Sequence, residues 1–384
     1  MILDLVHQSL ELKMYLRKIA TPKDVSEFLE LPSKIYADDP NYIKPLDKDI
    51  EVIFDRNKNL LFRSGNCCRW LLLDEKHEVI GRIATFYNID SQTGLPNGGI
   101  GFFECINAQK AANLLFDCAK EWLRNEGLKA MDGPINFGNR MNYWGLLIKG
   151  FQEPLYGMNY NPPYYQALFN NYGFQVSYHQ YCYSIDLKAE LPSKFYRIKD
   201  IIADDSSYEL RPFNKTQLTK FAKDFTKIYN TSWAQHHENK MIEEEEVLKS
   251  FRKMKPVIDE KTIWFVYCND EPIAFWINLP NLNDYFKYLG TRLGLFSILK
   301  FLWLKKFHPT KHLVGLIFGI VPKFQNKGVD AFLIVKALEI INAETQYDFY
   351  EVQWIGDFNP KMINVIQNMN GKITRTLATY NFSF

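Results

Sequence analysis

Apolar and polar positions follow two rhythms along this chain, one of period two and one near 3.6, and the same succession of rhythms occurs twice. A short β-rich run, MYLRKI from Met14, is followed by TPKDVSEFLELPSKIY, which reads as a helix that Thr21 caps and Pro22 opens. CCRWLLLDEKHEVIGRIATFYN sets two apolar, β-rich runs on either side of the charged turn DEKHE and predicts a hairpin. GIGFFECI is a further strand. NAQKAANLLFDCAKEWLRNEG then places Ala112, Leu115, Cys118, Ala119, Trp122 and Leu123 on one helical face and stops at Gly127. AMDGPI adds another strand.

The succession then restarts. YELRPF reads as a strand, NKTQLTKFAKDFTKIYNTSW as a helix, and KTIWFVYCNDEPIAFWINLP as a second hairpin around Asn269 and Asp270. HLVGLIFGIV, DAFLIVKALEIINAE and FYEVQWI continue as strand, helix and strand. The halves share an order of elements without evident identity of sequence, so an internal duplication is the economical reading. Domains are expected over 1–190 and 205–384, joined through KAELPSKFYRIKDIIADDSS, whose Pro192 and acidic DDSS suit a linker. The segments 136–154 and 281–309 are long for plain connections and are expected to be insertions facing a substrate.

Composition narrows the function. A chain of 384 residues that is 47% hydrophobic can build two cores, and 46 basic against 44 acidic residues give a net charge of only +2, so no global field points to nucleic acid. The six cysteines show no CxxC spacing and sit mostly in apolar runs, as buried thiols of a reducing cytoplasm would. The stretch MILDLVHQSLELKMYLRKIA has neither a basic leader region nor a cleavage site, so secretion is not expected. LGLFSILKFLWLKKF, 293–307, is broken by Lys300 and too short to cross a bilayer. Its mixture suits a membrane surface or an acyl chain, but a partly buried helix has the same composition and is the expectation here.

VPKFQNKGVDAFL, set between a strand and an apolar helix, resembles the GCN5-related N-acetyltransferase (GNAT) superfamily. There a Q/R-x-x-G-x-G/A loop turns the free N–H groups of a helix start toward the pyrophosphate of acetyl-CoA, and glycine lets the backbone approach the phosphates. In this chain the pattern falls on Gln325, Asn326, Lys327, Gly328, Val329 and Asp330. Asp330 replaces the last small residue. An ordinary strand-to-helix turn with an acidic first-turn residue is the alternative, because the helix dipole favours a carboxylate there too. EVQWIGDFNPKMINVIQNMNGK resembles the closing segment of the family, so Asn359 is implied as a pantetheine ligand, while the family's tyrosine acid on that helix is missing.

YNPPYYQALFNNYGF resembles the same closing helix in the first half, but NAQKAANLL after GFFECI offers no glycine for a phosphate loop. A longer resemblance, carried by GRIATFYN, GFFECIN, MDGPINFGNRMNYWGLLIKGF, YNPPYY and KGVDAFL, is to bacterial proteins with two GNAT-like halves. It implies an α/β fold of two tandem domains, each a mixed, mainly antiparallel twisted sheet flanked by helices. The first domain would shape an acceptor pocket and the second would bind acyl-CoA.

The resemblance further implies a thioester held by backbone groups near Gly319, Ile320 and Val321. Glu351, on the strand after the cofactor helix, is the candidate base, or else a solvent-facing strand acid; Tyr380 is the candidate acid, or else structural. His236 and His237 in NTSWAQHHENK are candidate acceptor-site bases or a solvated loop pair, and no further ligand set gives them a metal site. Asn136, Asn139, Arg140 and Asn142 can bind a polar acceptor or satisfy an irregular loop. The expected activity is N-acylation of a primary amine on a small molecule or peptide, most simply from acetyl-CoA. Transfer of a longer acyl or an aminoacyl group, or a GNAT fold without turnover, are the alternatives.

Overall fold

Alternate side chains of the second hairpin leave its two faces in opposite directions, which obliges helices to cover both. In the computed structural model, which describes residues 13–89, 96–138, 140–233 and 241–384, Trp264, Val266, Ala274 and Trp276 face one core while Ile263, Phe265, Phe275 and Ile277 face another. The first hairpin behaves in the same way, with Cys68, Trp70 and Leu72 on one side and Leu71 and Leu73 on the other.

The chain divides into two units. One takes the described residues through Gln180, with Gly290–Leu293 and Arg375–Phe384; the other takes Tyr181–Leu289 and Gly294–Thr374. In chain order the first contains β1 (Tyr15–Lys18), α1 (Pro22–Ile35), α2 (Asp47–Phe54), β2 (Gly65–Leu73), β3 (Val79–Ile89), β4 (Pro96–Cys105), α3 (Gln109–Asn125), β5 (Ala130–Gly133), β6 (Leu146–Lys149) and α4 (Tyr165–Tyr172). β7 (Gln175–Asp186) leads on to α5 (Ser193–Ala203), β8 (Tyr208–Pro212), α6 (Leu218–Trp233), α7 (Glu244–Met254), β9 (Ile263–Cys268) and β10 (Glu271–Pro280). Then come α8 (Asn283–Phe286), α9 (Leu295–Phe307), β11 (His312–Ile320), α10 (Val329–Glu344), β12 (Phe349–Gly356), α11 (Pro360–Asn368) and β13 (Lys372–Ser383).

Strand order repeats between the units. β1-β2-β3-β4-β5 and β8-β9-β10-β11-β12 are each antiparallel until the last pair, which is parallel. Residues 380–383 of β13 pair with β5 in the first unit, and 376–378 pair with β6.

Two expectations need correction. The presumed linker contains α5, because Phe195, Ile198 and Ile202 recur at helical spacing and pack with the α10 core. The segment 281–309 holds α8 and, where a partly buried helix is expected, α9; that helix is less buried than expected. Of its large apolar residues only Leu304 is buried; seven others are about half or more exposed, Phe296 at 86%. Among the described residues, no helix is long and apolar enough to cross a membrane.

Candidate active site

The parallel pair in the second unit does not stay together. β11 pairs with β12 from His312↔Phe349 to Gly315↔Val352, where the register ends. At the same level its pairing with β10 slips by one residue, from Asn278↔Gly315 to Ile277↔Ile317, making Leu316 a β-bulge. Gly315 lacks a side chain for a local reason: a Cβ there would lie 2.0 Å from the Tyr350 hydroxyl, which accepts a hydrogen bond from Trp276 Nε1 at 2.8 Å. The last turn of β11 therefore keeps β10 on one side and has an open edge on the other.

The polar groups on that edge follow from alternation. Val321 N–H donates to Ile273 O of β10, so the amide groups of Ile320 point away from β10. Gln325 Nε2 donates to Ile320 O at 3.0 Å. Beyond the strand, eight residues (321–328) lead into α10, with Asn326 at φ 59° and Gly328 at φ 83°. A left-handed residue next to a right-handed one is the backbone conformation in which successive N–H groups can converge on an anion. No side chain caps α10, leaving its first N–H groups and positive dipole end for an anion. Lys323 and Lys327 are exposed on the loop, and Asp330 is half-buried in the first helical turn.

A Cβ on Gly328 would meet Ile198 Cγ2 at 2.3 Å, so α5 fills the space on that side of the residue. Its left-handed φ and the packing of α5 both require glycine. At Gly319 the ring of Phe275 fills the equivalent space, at 2.8 Å. Glu351 is buried on β12 opposite Val314, one residue before the strands part. Asn359 caps α11 by accepting Met362 N–H at 3.2 Å, which leaves its amide nitrogen for other contacts.

The remaining candidates lie in the first unit or outside the described residues. Tyr380 is fully buried in the first unit's core, its ring against Phe169. Asn136 is buried, Arg140 lies over the Trp144 ring at 5.6 Å, and Asn142 Oδ1 occupies the place of a Cβ on Gly157. Asn139, His236 and His237 fall outside the described residues. Among the described residues, no group of three His, Cys, Asp or Glu side chains could hold a metal ion.

The first unit has the same parting of strands and fills it. β4 and β5 pair only at Gly99↔Asp132, and a bulge lies on β4 around Phe102, whose φ is 51°. Cys105 occupies the position of Ile320, since the next residue, Ile106, donates its N–H to Ile80 of the neighbouring segment. Here both edge groups are taken: Cys105 N–H donates to Tyr165 Oη at 2.8 Å, and Tyr164 Oη donates to Cys105 O at 2.7 Å. Only three residues (106–108) connect β4 to α3.

A buried polar cluster that sequence reasoning missed surrounds this plug. Glu104 accepts from Tyr36 Oη and Tyr165 Oη at 2.8 Å each and from Arg82 at 3.3 Å, while Arg82 also donates to Phe28 O. Burial pushes the Glu104 pKa up despite Arg82, and burial with the nearby carboxylate pushes Tyr36 and Tyr165 well above the ordinary phenol value. The cluster borders a pocket lined also by Tyr42, Lys44 and Asp47. Its only sequence signals are an Arg and a Glu within apolar runs, GRIATF and FFEC, where an isolated charge needs a partner.

Two successive five-strand runs, each with a bulged strand leaving its parallel neighbour just before a helix, make up the tandem GNAT fold, and the chain has that fold. It matches the tandem GNAT protein from the clavulanic acid biosynthesis pathway at a TM-score of 0.55 and 11% identity, over 97% of this chain and 98% of that one. The GCN5-related glucosamine N-acetyltransferase region of a fungal multi-domain GH3 β-N-acetylglucosaminidase matches at a TM-score of 0.57 and 12% identity, with 97% of this chain spanning 38% of that one. In sequence the chain is similar to the bacterial ceramide synthase of Caulobacter vibrioides (strain NA1000 / CB15N), 27% identical over 94% of this chain and 95% of the relative. It is also similar to protein YghO of Escherichia coli (strain K12), 24% identical over 95% and 94%. No family model matches the chain.

Proposed function

We propose that the chain is an acyl-CoA-dependent N-acyltransferase, with the open edge of β11 at 316–320 as its acyl-CoA site and a primary amine as its acceptor. The observation that carries this reading is the departure of β12 from β11 beside the uncapped start of α10. A strand edge with free amide groups suits an amide-bearing arm, and a helix start with two flanking lysines suits a pyrophosphate. Ile320 N–H is the donor on that edge placed to polarise a thioester carbonyl. In the transfer, the amine nitrogen bonds to the carbonyl carbon, the C–S bond breaks, and the nitrogen loses a proton. Glu351 is the group assigned to receive that proton, directly or through water, and Asn359 the pantetheine contact. Tyr380, enclosed in the first unit's core, is given no step.

The acyl group is proposed to be a fatty chain and the acceptor a long-chain amine. The support is the name of the Caulobacter relative, whose similarity spans nearly the whole of both chains. Calorimetry with acetyl-CoA and palmitoyl-CoA, then thiol release across long-chain amino alcohols, polyamines and peptide N-termini, tests both levels. Palmitoyl-CoA is expected to bind more tightly and to release thiol only with a long-chain amine. Preference for acetyl-CoA would reverse the chain-length assignment, absence of binding to either would reject the activity, and binding without turnover would leave a ligand-binding protein.

A further inference from the structure

Among the described residues of the second unit the most exposed apolar surface is α9, and only a small part of that helix packs on protein. Leu304 and Phe301 join Tyr285, Phe286 and Leu289 in a small cluster, with the Phe301 ring edge-on to Tyr285 at 5.4 Å. Leu295, Phe296, Ile298, Leu299, Leu302, Trp303 and Phe307 are between 49% and 86% exposed. At 100° per residue these seven cover the half of the helix opposite Leu304. A face that apolar costs free energy in water and is not needed for the core beneath it.

Charge identifies what covers it. From Lys287 to Lys311 the chain has six basic residues and no acid, in a protein whose net charge is +2. Lys300 and Lys305 flank the exposed face and are tethered to the carbonyls of Tyr288 and Pro256, while Lys306 lies at its C-terminal end. Lys215 adds positive charge near Lys305, and its repulsion helps burial to lower the Lys305 pKa. A second copy packed on this face would bring like charges together.

We propose that α9 docks the protein on the surface of an anionic bilayer, lying in the interface with Phe296, Leu299 and Trp303 among the acyl chains and its lysines at the phosphates. Thirteen residues extend about 20 Å as a helix, enough to lie along the interface and too short to cross it. This inference goes beyond the proposed activity and is tested without it.

Co-sedimentation of the full chain with vesicles of equimolar phosphatidylglycerol and phosphatidylcholine, and of phosphatidylcholine alone, gives the test. Binding is expected to the anionic vesicles only and to fall with salt. The double variant Phe296→Asp, Trp303→Asp is expected to lose about tenfold or more in partitioning, with thermal stability retained because both side chains are exposed. Lys300→Gln with Lys306→Gln is expected to weaken binding while leaving the apolar face intact. No binding to anionic vesicles, equal binding by the aspartate variant, or a dimer in equilibrium sedimentation that this variant dissolves would each overturn the proposal.

Discussion

The two units part their parallel strands in the same way and put the space to opposite uses. In the second, the edge of β11 beyond Leu316 faces an eight-residue loop and an uncapped helix start. In the first, the Tyr164 and Tyr165 hydroxyls satisfy the edge of β4, and a three-residue connection leaves no room for a cradle. A bulge and a parted strand pair therefore make only a space. Whether that space can take a ligand depends on a few side chains that either satisfy the exposed amides or leave them unpaired, because unpaired amides beside a cavity are the groups a ligand can satisfy.

The comparison is most severely strained at Gly328. Valine there would have to adopt a left-handed conformation and displace Ile198, for a combined cost of roughly 2–5 kcal/mol. Urea unfolding of Gly328→Val should show that loss, together with loss of acyl-CoA binding. Normal stability would mean that α5 does not rest on the loop as described.

Tyr165→Phe attacks the plug instead. It leaves Cys105 N–H without an acceptor and removes one donor from Glu104, at an expected cost of about 1–3 kcal/mol. Acyl-CoA binding should not change, since the lost contacts belong to the first unit. Any gain of a second acyl-CoA site in calorimetry would show that the tyrosine alone, rather than the short connection, closes that space.

Glu104 makes the plug sensitive to pH. Its carboxyl is held above the ordinary 4.5 in the folded state, so its contribution to stability is fully present below that value and is lost as pH rises through the folded pKa. Glu104→Gln should remove this loss. Paired thermal melts from acid to neutral pH should show the wild type losing stability relative to the variant, and parallel curves would contradict the raised pKa.

The smallest expected effect sharpens the open side of the comparison. Asp330 stands in the first turn of α10, and its carboxylate opposes a phosphate there unless it turns away. Asp330→Gly should tighten acyl-CoA binding by about two- to fivefold. Calorimetry showing weaker binding would mean that the side chain supports the loop.

Much of the open side was legible in the sequence. The run from His312 through Gly328 to Glu344 announces strand, turn and helix, and structural neighbours bear out the tandem fold read from the repeated order of elements. The closed side was not legible. Tyr164 and Tyr165 read as part of a helix start, and nothing in YNPPYY says that their hydroxyls reach a strand some sixty residues earlier. α5 was lost in a polar stretch because only three apolar residues mark its buried face. The exposure of α9 was unreadable for the reverse reason: its apolar residues run almost all round the helix, so periodicity favours no face.

By itself the sequence determined the elements, their duplicated order and the turn chemistry at Gly328, all of which rest on forces acting within a few residues: dihedral preference, side-chain period and capping. The tertiary structure decided which of two equivalent strand edges stays open, which helix lies over the glycine, and that β13 gives its last residues to the first unit. Those outcomes depend on hydrogen bonds and contacts between residues far apart in the chain, and such pairings leave no periodic trace in the segments that make them.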